Sequence, residues 1–236
     1  MVARHSDINN LGTLKSKIIS PNSEFLTETD STDVFRFDIE NSREFNLLLH
    51  NISDGDDIDL RLFQDSNNNG IFDLNDEQVA SSRLGSNLDD SINYNASAGT
   101  YFAQVERYRF GSVGTASYNL DLSAIYDVGI LNSTVTSRNG YSVKETDSTD
   151  VFRFNILNNR NINLHLNNIS DGDDADLRLF QDSNNNGVFD SNDEQVASSR
   201  RGSNLDDSIN YSASTGTYFA QVERYAAGSN GLVQYD

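Results

Sequence analysis

The sequence contains no cysteine, no tryptophan, a single proline and only three histidines. Without cysteine, the chain forms neither disulfides nor thiolate metal sites and has no cysteine nucleophile. It also lacks an apolar run of about 18 residues, so we predict no membrane insertion. The first residues, MVARHSDINN, lack the apolar segment of a signal peptide. An extracellular location would therefore require a longer parent chain or another export route.

Positive charge is also scarce, because 17 lysines and arginines face 36 acidic residues and give a formal net charge of −19. Such a field repels nucleic acid and anionic membranes and attracts cations, so nucleic acid is excluded as a partner. The chain is nevertheless predicted to fold. Its hydrophobic fraction is 36%, and its 13 phenylalanines and 10 tyrosines fall in regular short runs.

The chain contains a tandem duplication with a shift of 117 residues and no gap. Between residues 30–108 and residues 147–225, 66 of 79 positions are identical. This period is far longer than the roughly 20 to 50 residues of a solenoid repeat. Each copy is therefore expected to bury its own core, and we predict two domains, residues 1–124 and residues 125–236.

Short apolar runs alternate with turn-forming residues throughout each copy, and no stretch has helical periodicity. In the first copy, Phe35, Phe37 and Ile39 share one face of a predicted strand, as Leu60 and Leu62 do in another. Seven or eight such strands without βαβ spacing predict an all-β fold of two tandem antiparallel β-sandwich domains with a jelly-roll-like order. The second copy stops at Tyr235 and Asp236, where the first continues with NLDLSA, so its final strand is expected to be truncated.

The polar segment QDSNNNGIFDLNDEQ, residues 64–78, returns as QDSNNNGVFDSNDEQ at residues 181–195. Oxygen-bearing side chains at positions 1, 3, 5, 9 and 12, with glycine at position 6, are the spacing of an EF-hand-type calcium loop. The candidate ligands of the first copy are Asp65, Asn67, Asn69, the carbonyl of Ile71, Asp73 and Asp76, with Glu77 as a substitute for Asp76. Those of the second copy are Asp182, Asn184, Asn186, the carbonyl of Val188, Asp190 and Asp193, with Glu194 as the substitute. All are hard oxygen donors, which predicts Ca²⁺ as the cofactor.

Two features depart from an EF-hand. Position 12 is aspartate in place of the usual bidentate glutamate, and the flanking segments are predicted strands. The alternative interpretation is a polar hairpin loop in which asparagine and aspartate cap their own backbone. In either case the loop lies at the end of a β-hairpin.

Further acids and the three histidines offer little sign of catalysis. Asp57 and Asp59, repeated as Asp174 and Asp176, are expected on the sheet surface at the end of an aspartate-rich turn, with ion binding there as a secondary possibility. His50 and His165 occupy unmatched positions in the two copies, and His5 precedes both repeats. Nothing indicates a Ser-His-Asp site or a pair of acids beside a sugar platform, so we predict that the chain is not an enzyme.

Several motifs resemble the bacterial pre-peptidase C-terminal domain family over almost all of both copies. These motifs are DSTDVFRF, D-x-DLRLFQDSNNNG, DDSINY and GTYFAQV in both copies, and YNLDLS in the first copy alone. The resemblance implies β-sandwich accessory modules attached to secreted proteases and other exoproteins, of which those in clostridial collagenases bind calcium and collagen. It also implies an extracellular or cell-surface location.

The expected function is therefore a non-catalytic module, stabilised by calcium, that assists the targeting or stability of an attached exoprotein. Its expected partners are an attached or neighbouring protein domain, an extracellular protein or a polysaccharide surface. The alternative function is a metal-free adhesive or structural repeat of a cell-surface protein.

Overall fold

The computed structural model describes residues 8–21, 24–109, 111, 114–226, 228 and 231–236, and His5 lies outside them. The regular secondary structure of these residues consists of β-strands alone, which confirms the all-β prediction. They contain no helix of the length and apolarity needed to cross a membrane. The chain divides into two compact units: Met1–Leu14 with Ile18–Ala124, and Lys15–Lys17 with Ile125–Asp236.

Unit 1 has two sheets. Its strands are β1 (Asn9–Thr13), β2 (Glu24–Thr27), β3 (Thr32–Ile39), β4 (Arg43–His50), β5 (Asp57–Gln64), β6 (Glu77–Ser82), β7 (Asp90–Ala96), β8 (Gly99–Arg109) and residues 115–124 of β9 (Thr115–Ile130). One sheet has the order β1-β3-β8-β5-β6, in which β1 is parallel to β3 and the other pairs are antiparallel. In the other sheet β9, β4 and β7 are neighbours, and β2 pairs with β9.

The core of unit 1 follows the alternation of its strands. Phe35, Phe37 and Ile39 are buried, and so are Leu60 and Leu62, as the period-two pattern predicts. The aromatic rings of Phe37, Phe45 and Tyr101 pack at the centre, where those of Phe37 and Phe45 lie edge to face at 5.1 Å. Residues Leu120 and Leu122 of β9 are also fully buried in this core.

Unit 2 repeats the arrangement. Its strands are residues 125–130 of β9, β10 (Tyr141–Lys144), β11 (Thr149–Ile156), β12 (Arg160–Leu166), β13 (Asp174–Gln181), β14 (Glu194–Ser199), β15 (Asp207–Ala213), β16 (Gly216–Ala226) and β17 (Leu232–Tyr235). One sheet has the order β9-β11-β16-β13-β14, while β10 pairs with β17 and β12 pairs with β15. Phe154 and Tyr218 stack at the centre of the core with their ring centroids 5.8 Å apart.

Strand pairing at the end of each repeat begins in the same register. In unit 1, Glu24 of β2 is opposite Tyr118 of β9, and in unit 2, Tyr141 of β10 is opposite Tyr235 of β17. From this point β9 continues through residues 119–124 beside β4. The two units therefore share the framework of their cores but differ in how this edge of the sandwich is closed.

Candidate metal centre

The repeated polar loop lies between two antiparallel strands, as the sequence predicts. In unit 1 it joins β5 to β6, and in unit 2 it joins β13 to β14. Gly70 has a φ of 71° and Gly187 a φ of 74°, so both adopt the left-handed conformation that glycine accepts without strain. The glycine at position 6 thus has the role in the turn that its spacing indicates.

Asp65 anchors the first loop from its buried position directly after β5. Its Oδ2 atom accepts a hydrogen bond from the backbone N–H of Gly70 at 2.7 Å, and its Oδ1 atom accepts one from that of Asn69 at 3.1 Å. The Asp76 Oδ2 atom accepts a hydrogen bond from the backbone N–H of Asp73 at 2.8 Å. These bonds fold the loop back on itself and bring its first and last acids towards one another.

The asparagines contact the same centre through both ends of their amides. Asn67 Oδ1 accepts from the Asn69 N–H at 3.1 Å, and Asn69 Oδ1 accepts from the Ile71 N–H at 2.7 Å. Their Nδ2 groups donate to Asp73 Oδ2, at 2.9 Å from Asn69 and 3.5 Å from Asn67. Hydrogen bonds therefore link five of the predicted side-chain ligands of this loop: Asp65, Asn67, Asn69, Asp73 and Asp76.

The second loop has the same construction. Asp182 Oδ2 accepts from the Gly187 N–H at 3.0 Å, and Asp193 Oδ2 accepts from the Asp190 N–H at 3.0 Å. Asn184 and Asn186 donate through Nδ2 to Asp190 Oδ2 at 3.2 and 2.8 Å. The two loops thus share the hydrogen bonds of the glycine turn and of the asparagine amides.

Several carboxylate oxygens in these loops are buried and have no hydrogen-bond donor. They are Asp76 Oδ1 in the first loop and the Oδ1 atoms of Asp182 and Asp193 in the second. A buried carboxylate oxygen without a donor is costly, because it loses its hydration without replacement. Buried carboxylate oxygens of this kind are suited to coordinating a hard cation.

The pKa values of the loop acids reflect the same crowding. Burial raises the pKa of Asp76, and the negative charges of Asp65 and Asp73 add to the effect. In the second loop, burial and the charges of Asp190 and Asp182 raise the pKa of Asp193 to about 7. By contrast, hydrogen bonds from the Asn75 backbone and the Asn69 side chain lower the pKa of Asp73.

The remaining predicted ligands lie at the margin of the loops. Glu77 and Glu194 are exposed and are the first residues of β6 and β14. The Ile71 side chain is 55% exposed, whereas that of Val188 is buried. Among the described residues, no three acidic or histidine side chains are grouped so that they alone could hold a metal ion. Any complete shell in these loops would thus include amide and carbonyl oxygens.

A second group of acids lies inside each sandwich rather than on the sheet surface, and here the sequence-based expectation is wrong. Asp57, Asp59 and Asp90 of unit 1 are all buried, as are the matching acids of unit 2. Asp57 Oδ1 and Asp90 Oδ2 have no hydrogen-bond donor, and the Ser82 hydroxyl donates to Asp90 Oδ1. The error arose because alternation assigns one face of β5 to solvent, while the N-terminal end of β5 is buried on both faces.

The turn before β5 holds a further buried acid, Asp56, which belongs to the same aspartate-rich turn and for which the sequence predicted no ion pair. The carboxylate of Asp56 accepts a hydrogen bond from Arg107 Nη2 at 2.9 Å and another from the Gly111 N–H at 2.8 Å. The Ser53 hydroxyl donates to the same carboxylate. The available signal for a buried ion pair was that Arg107 lies two residues after the buried Val105, on the apolar face of β8.

Comparison with known proteins gives a match at the level of the family. The sequence profile of the bacterial pre-peptidase C-terminal domain matches residues 31–107 and 148–224. A search of curated proteins gives no significant match.

Among solved structures, the chain is similar to the pre-peptidase C-terminal domain of a collagenase from Bacillus anthracis, with 21% identity and a TM-score of 0.37 over 51% of this chain and 97% of that one. It is also similar to a tandem CBM22 domain of Xyn10C from Paenibacillus barcinonensis, with 7% identity and a TM-score of 0.25 over 85% of this chain and 80% of that one. These scores are low, so the assignment rests on the sequence profile. The two matched ranges together span more than half of the 236 residues. The protein belongs to the bacterial pre-peptidase C-terminal domain family and carries two tandem copies of the domain.

Proposed function

We propose that the chain is a pair of non-catalytic accessory modules, each stabilised by one Ca²⁺ ion, that assist the targeting or stability of an attached exoprotein. The ion would be held in the loop of residues 65–77 in unit 1 and of residues 182–194 in unit 2. Domains of this family are generally non-catalytic accessory domains and occur in secreted bacterial proteins. That background supports both the accessory role and an extracellular or cell-surface location.

The observation that carries the calcium proposal is the set of buried oxygens without donors. Asp76 Oδ1 in one loop and Asp182 Oδ1 and Asp193 Oδ1 in the other share this property. These oxygens, and the carboxylate and amide oxygens of the other predicted ligands, suit a hard cation that accepts six to eight oxygen ligands in flexible geometry. When bound, the ion would supply positive charge where the acids repel one another.

The asparagine amides would have to adjust. At present the Nδ2 groups of Asn67 and Asn69 donate to Asp73 Oδ2, which partly neutralises that carboxylate. A cation would replace these Nδ2 donors, and each amide would rotate so that its Oδ1 atom, which now accepts a backbone N–H group, faces the ion. Rotation of an exposed amide is a small cost beside the relief of the buried Asp76 oxygen.

The alternative function, a metal-free adhesive or structural repeat, is favoured by one specific observation. Within the first loop, the hydrogen bonds from backbone N–H groups to Asp65, Asn67 and Asn69 already form a closed polar turn. In this alternative the asparagine and aspartate residues serve only to cap the hairpin. It leaves the buried oxygens of Asp76 and Asp193 without a partner, which is why we prefer the calcium-bound module.

The partner we propose is an attached or neighbouring protein domain, or an extracellular protein or polysaccharide surface. The exposed aromatic residues Tyr108 and Tyr225, at the ends of β8 and β16, are 76% and 74% exposed. Exposed tyrosines are common in binding surfaces because they combine apolar area with a hydrogen-bonding group. The net charge of −19 makes nucleic acid and anionic membrane poor partners.

A thermal unfolding titration with Ca²⁺ tests the proposal. With an affinity of about 10⁻⁴ M, a tenfold excess of ion stabilises each unit by about 1.4 kcal/mol, so the melting temperature rises. The variant Asp65→Asn with Asp182→Asn is expected to lose this rise. The variant Asp89→Asn with Asp206→Asn is the matched control, because it removes the same charge from exposed positions and should keep the rise. An unchanged melting temperature at millimolar calcium, or an equal rise in both variants, would refute the calcium site.

A further inference from the structure

Five asparagines of the chain begin the tripeptide Asn-x-Ser or Asn-x-Thr, in which x is not proline. This tripeptide is the acceptor sequence for a sugar that becomes attached to the asparagine side chain. A sequence this short also arises by chance, so the structure around each copy decides whether it can react. All five asparagines are exposed: Asn51, Asn95, Asn132, Asn168 and Asn210.

Two of the five lie within strands. Asn95 belongs to β7 and Asn210 to β15, and both are paired with residues of a neighbouring strand. Residues two apart in an extended strand are separated by about 6.5 Å, so the hydroxyl two residues on does not reach the asparagine amide. Instead, the Ser97 hydroxyl contacts a tyrosine hydroxyl, and the Ser212 hydroxyl donates to Asn161 Oδ1 at 2.7 Å. The hydroxyl of each tripeptide is thus engaged elsewhere.

Two others lie in the matching turns after β4 and β12. The Ser53 hydroxyl, two residues after Asn51, donates to an aspartate carboxylate, and the matching hydroxyl of unit 2 does the same. The amides are engaged as well, because Asn51 Nδ2 lies 3.2 Å from His50 Nδ1 and Asn168 Nδ2 donates to Asp236 Oδ2 at 2.8 Å. In these two tripeptides other partners therefore hold both the amide nitrogen and the hydroxyl.

The fifth asparagine, Asn132, has a different environment. It lies between β9 and β10 in a segment that belongs to no strand, and residues 132–140 are all exposed. The Thr134 N–H donates to Asn132 Oδ1 at 2.8 Å, and the Thr134 hydroxyl donates to the same oxygen. This arrangement is an Asx turn. Among the described residues, none accepts a hydrogen bond from the Asn132 Nδ2 group.

The two donors on the Asn132 oxygen favour reaction at its amide nitrogen. To bond to a sugar, Nδ2 must lose a proton, and the negative charge that develops is shared with Oδ1 through the amide. Hydrogen-bond donors that already point at the atom where charge develops stabilise that charge. The Thr134 N–H and hydroxyl both do so, and the segment around them is open to an enzyme.

From this geometry we infer that Asn132 is the residue at which the chain accepts an N-linked sugar. The donor is a sugar with a phosphate on its anomeric carbon, and a glycosyltransferase carries out the transfer. A bond forms between Nδ2 and the anomeric carbon, while the bond from that carbon to the phosphate oxygen breaks. The phosphate group leaves as an anion, and the Nδ2 proton passes to a base of the enzyme. Nucleotide-linked and lipid-linked sugars share this chemistry.

Incubation of the whole chain with a purified N-glycosyltransferase, followed by peptide mass spectrometry, tests the inference. One arm supplies UDP-glucose to a nucleotide-dependent enzyme, and the other supplies a polyisoprenyl-diphosphate glycan to an oligosaccharyltransferase. We expect Asn132 to be modified at least about tenfold faster than Asn95 or Asn210, because a strand must open locally before it can enter an enzyme. Short peptides that contain each tripeptide are the reference, and in them the three asparagines should react at similar rates.

Variants of the exposed Thr134 test the turn without disturbing the core. Thr134→Ser keeps the hydroxyl and should keep the modification, whereas Thr134→Val should abolish it. Modification of Asn132 with the expected preference in either arm supports the inference, and the arm identifies the donor. No sugar on Asn132 in both arms, equal rates at Asn132 and Asn95, or the same preference in the peptides would overturn it. The variant Asp65→Asn with Asp182→Asn should be modified at an unchanged rate, so the outcome is independent of the calcium proposal.

Discussion

Arg107 and Asp56 form an ion pair inside unit 1, with 2.9 Å between Nη2 and Oδ1 and side chains that are 0% and 4% exposed. Removing one partner of a buried pair leaves the other charge without compensation, which costs about 3 to 5 kcal/mol. We therefore expect Asp56→Asn to lower the free energy of unfolding by at least about 3 kcal/mol in urea titrations. Asp54→Asn, at an exposed position of the same turn, should change it by less than about 0.5 kcal/mol. Similar losses in both variants would contradict this role of the pair.

A tyrosine hydroxyl donates to a buried or half-buried aspartate at the same place in both units. Tyr118 Oη lies 2.6 Å from Asp33 Oδ2, and Tyr235 Oη lies 2.6 Å from Asp150 Oδ2. Burial, reinforced by the charge of Asp150, keeps the pKa of Tyr235 well above its ordinary value, so the hydroxyl remains a donor. Replacing either tyrosine by phenylalanine should cost about 1.5 to 3 kcal/mol, because a charged acceptor loses its donor. Chemical unfolding of Tyr118→Phe and Tyr235→Phe tests this, and a loss below about 0.5 kcal/mol would contradict it.

The buried acids of β5 and β13 predict a pH effect. Burial raises the pKa of Asp59, and the charges of Asp57 and Asp90 add to the rise; the pKa of Asp176 is raised for the matching reasons. A carboxyl group with a raised pKa binds its proton more tightly in the folded state. It therefore stabilises the fold below the ordinary pKa of 3.8, and this contribution is lost as the pH rises through the raised value.

The variant Asp59→Asn with Asp176→Asn removes both titrating groups. Relative to the unmodified chain, its free energy of unfolding should increase as the pH rises from about 4 towards neutrality. Urea unfolding of the variant and of the unmodified chain, in a chelator over this pH range, measures the difference directly. The titrating groups that the two chains share contribute equally and cancel. A difference that stays constant with pH, or that falls, would contradict the assignment.

We predict that position 6 of each loop requires glycine because of its backbone conformation, and not because a side chain would lack room there. Gly70 and Gly187 have positive φ, and nothing lies within 4 Å of a Cβ added to Gly70. Gly70→Ala should therefore cost about 1 to 2 kcal/mol. Gly85→Ala is the control, because that residue also has open space but no positive φ, and it should be neutral or slightly stabilising. Equal effects on the melting temperature would contradict the prediction.

Much of the fold follows from sequence periodicity. The strands around Phe35 and Leu60 were predictable because one face of each alternates apolar residues, and the exact repeat placed their counterparts in unit 2. β1 and β2 were not predicted. β1, Asn9–Thr13, contains only one large apolar residue and pairs in parallel at a sheet edge, and β2, Glu24–Thr27, is only four residues long.

The candidate site was predictable in part. The loop spacing predicted the hydrogen-bonded turn of each hairpin, because hairpin geometry is local and the glycine position fixes the turn. The burial of Asp57 and Asp59 was not predictable from the sequence, because it depends on which elements cover the end of β5.

Calorimetric titration of Ca²⁺ into the chelator-treated chain tests the central claim most directly. We predict two sites per chain with dissociation constants of about 10⁻⁴ M, as in extracellular calcium modules. Asp65→Asn alone and Asp182→Asn alone should each leave one site, whereas Asp89→Asn should leave both. No binding heat at millimolar calcium, or an unchanged number of sites in the two loop variants, would contradict the account.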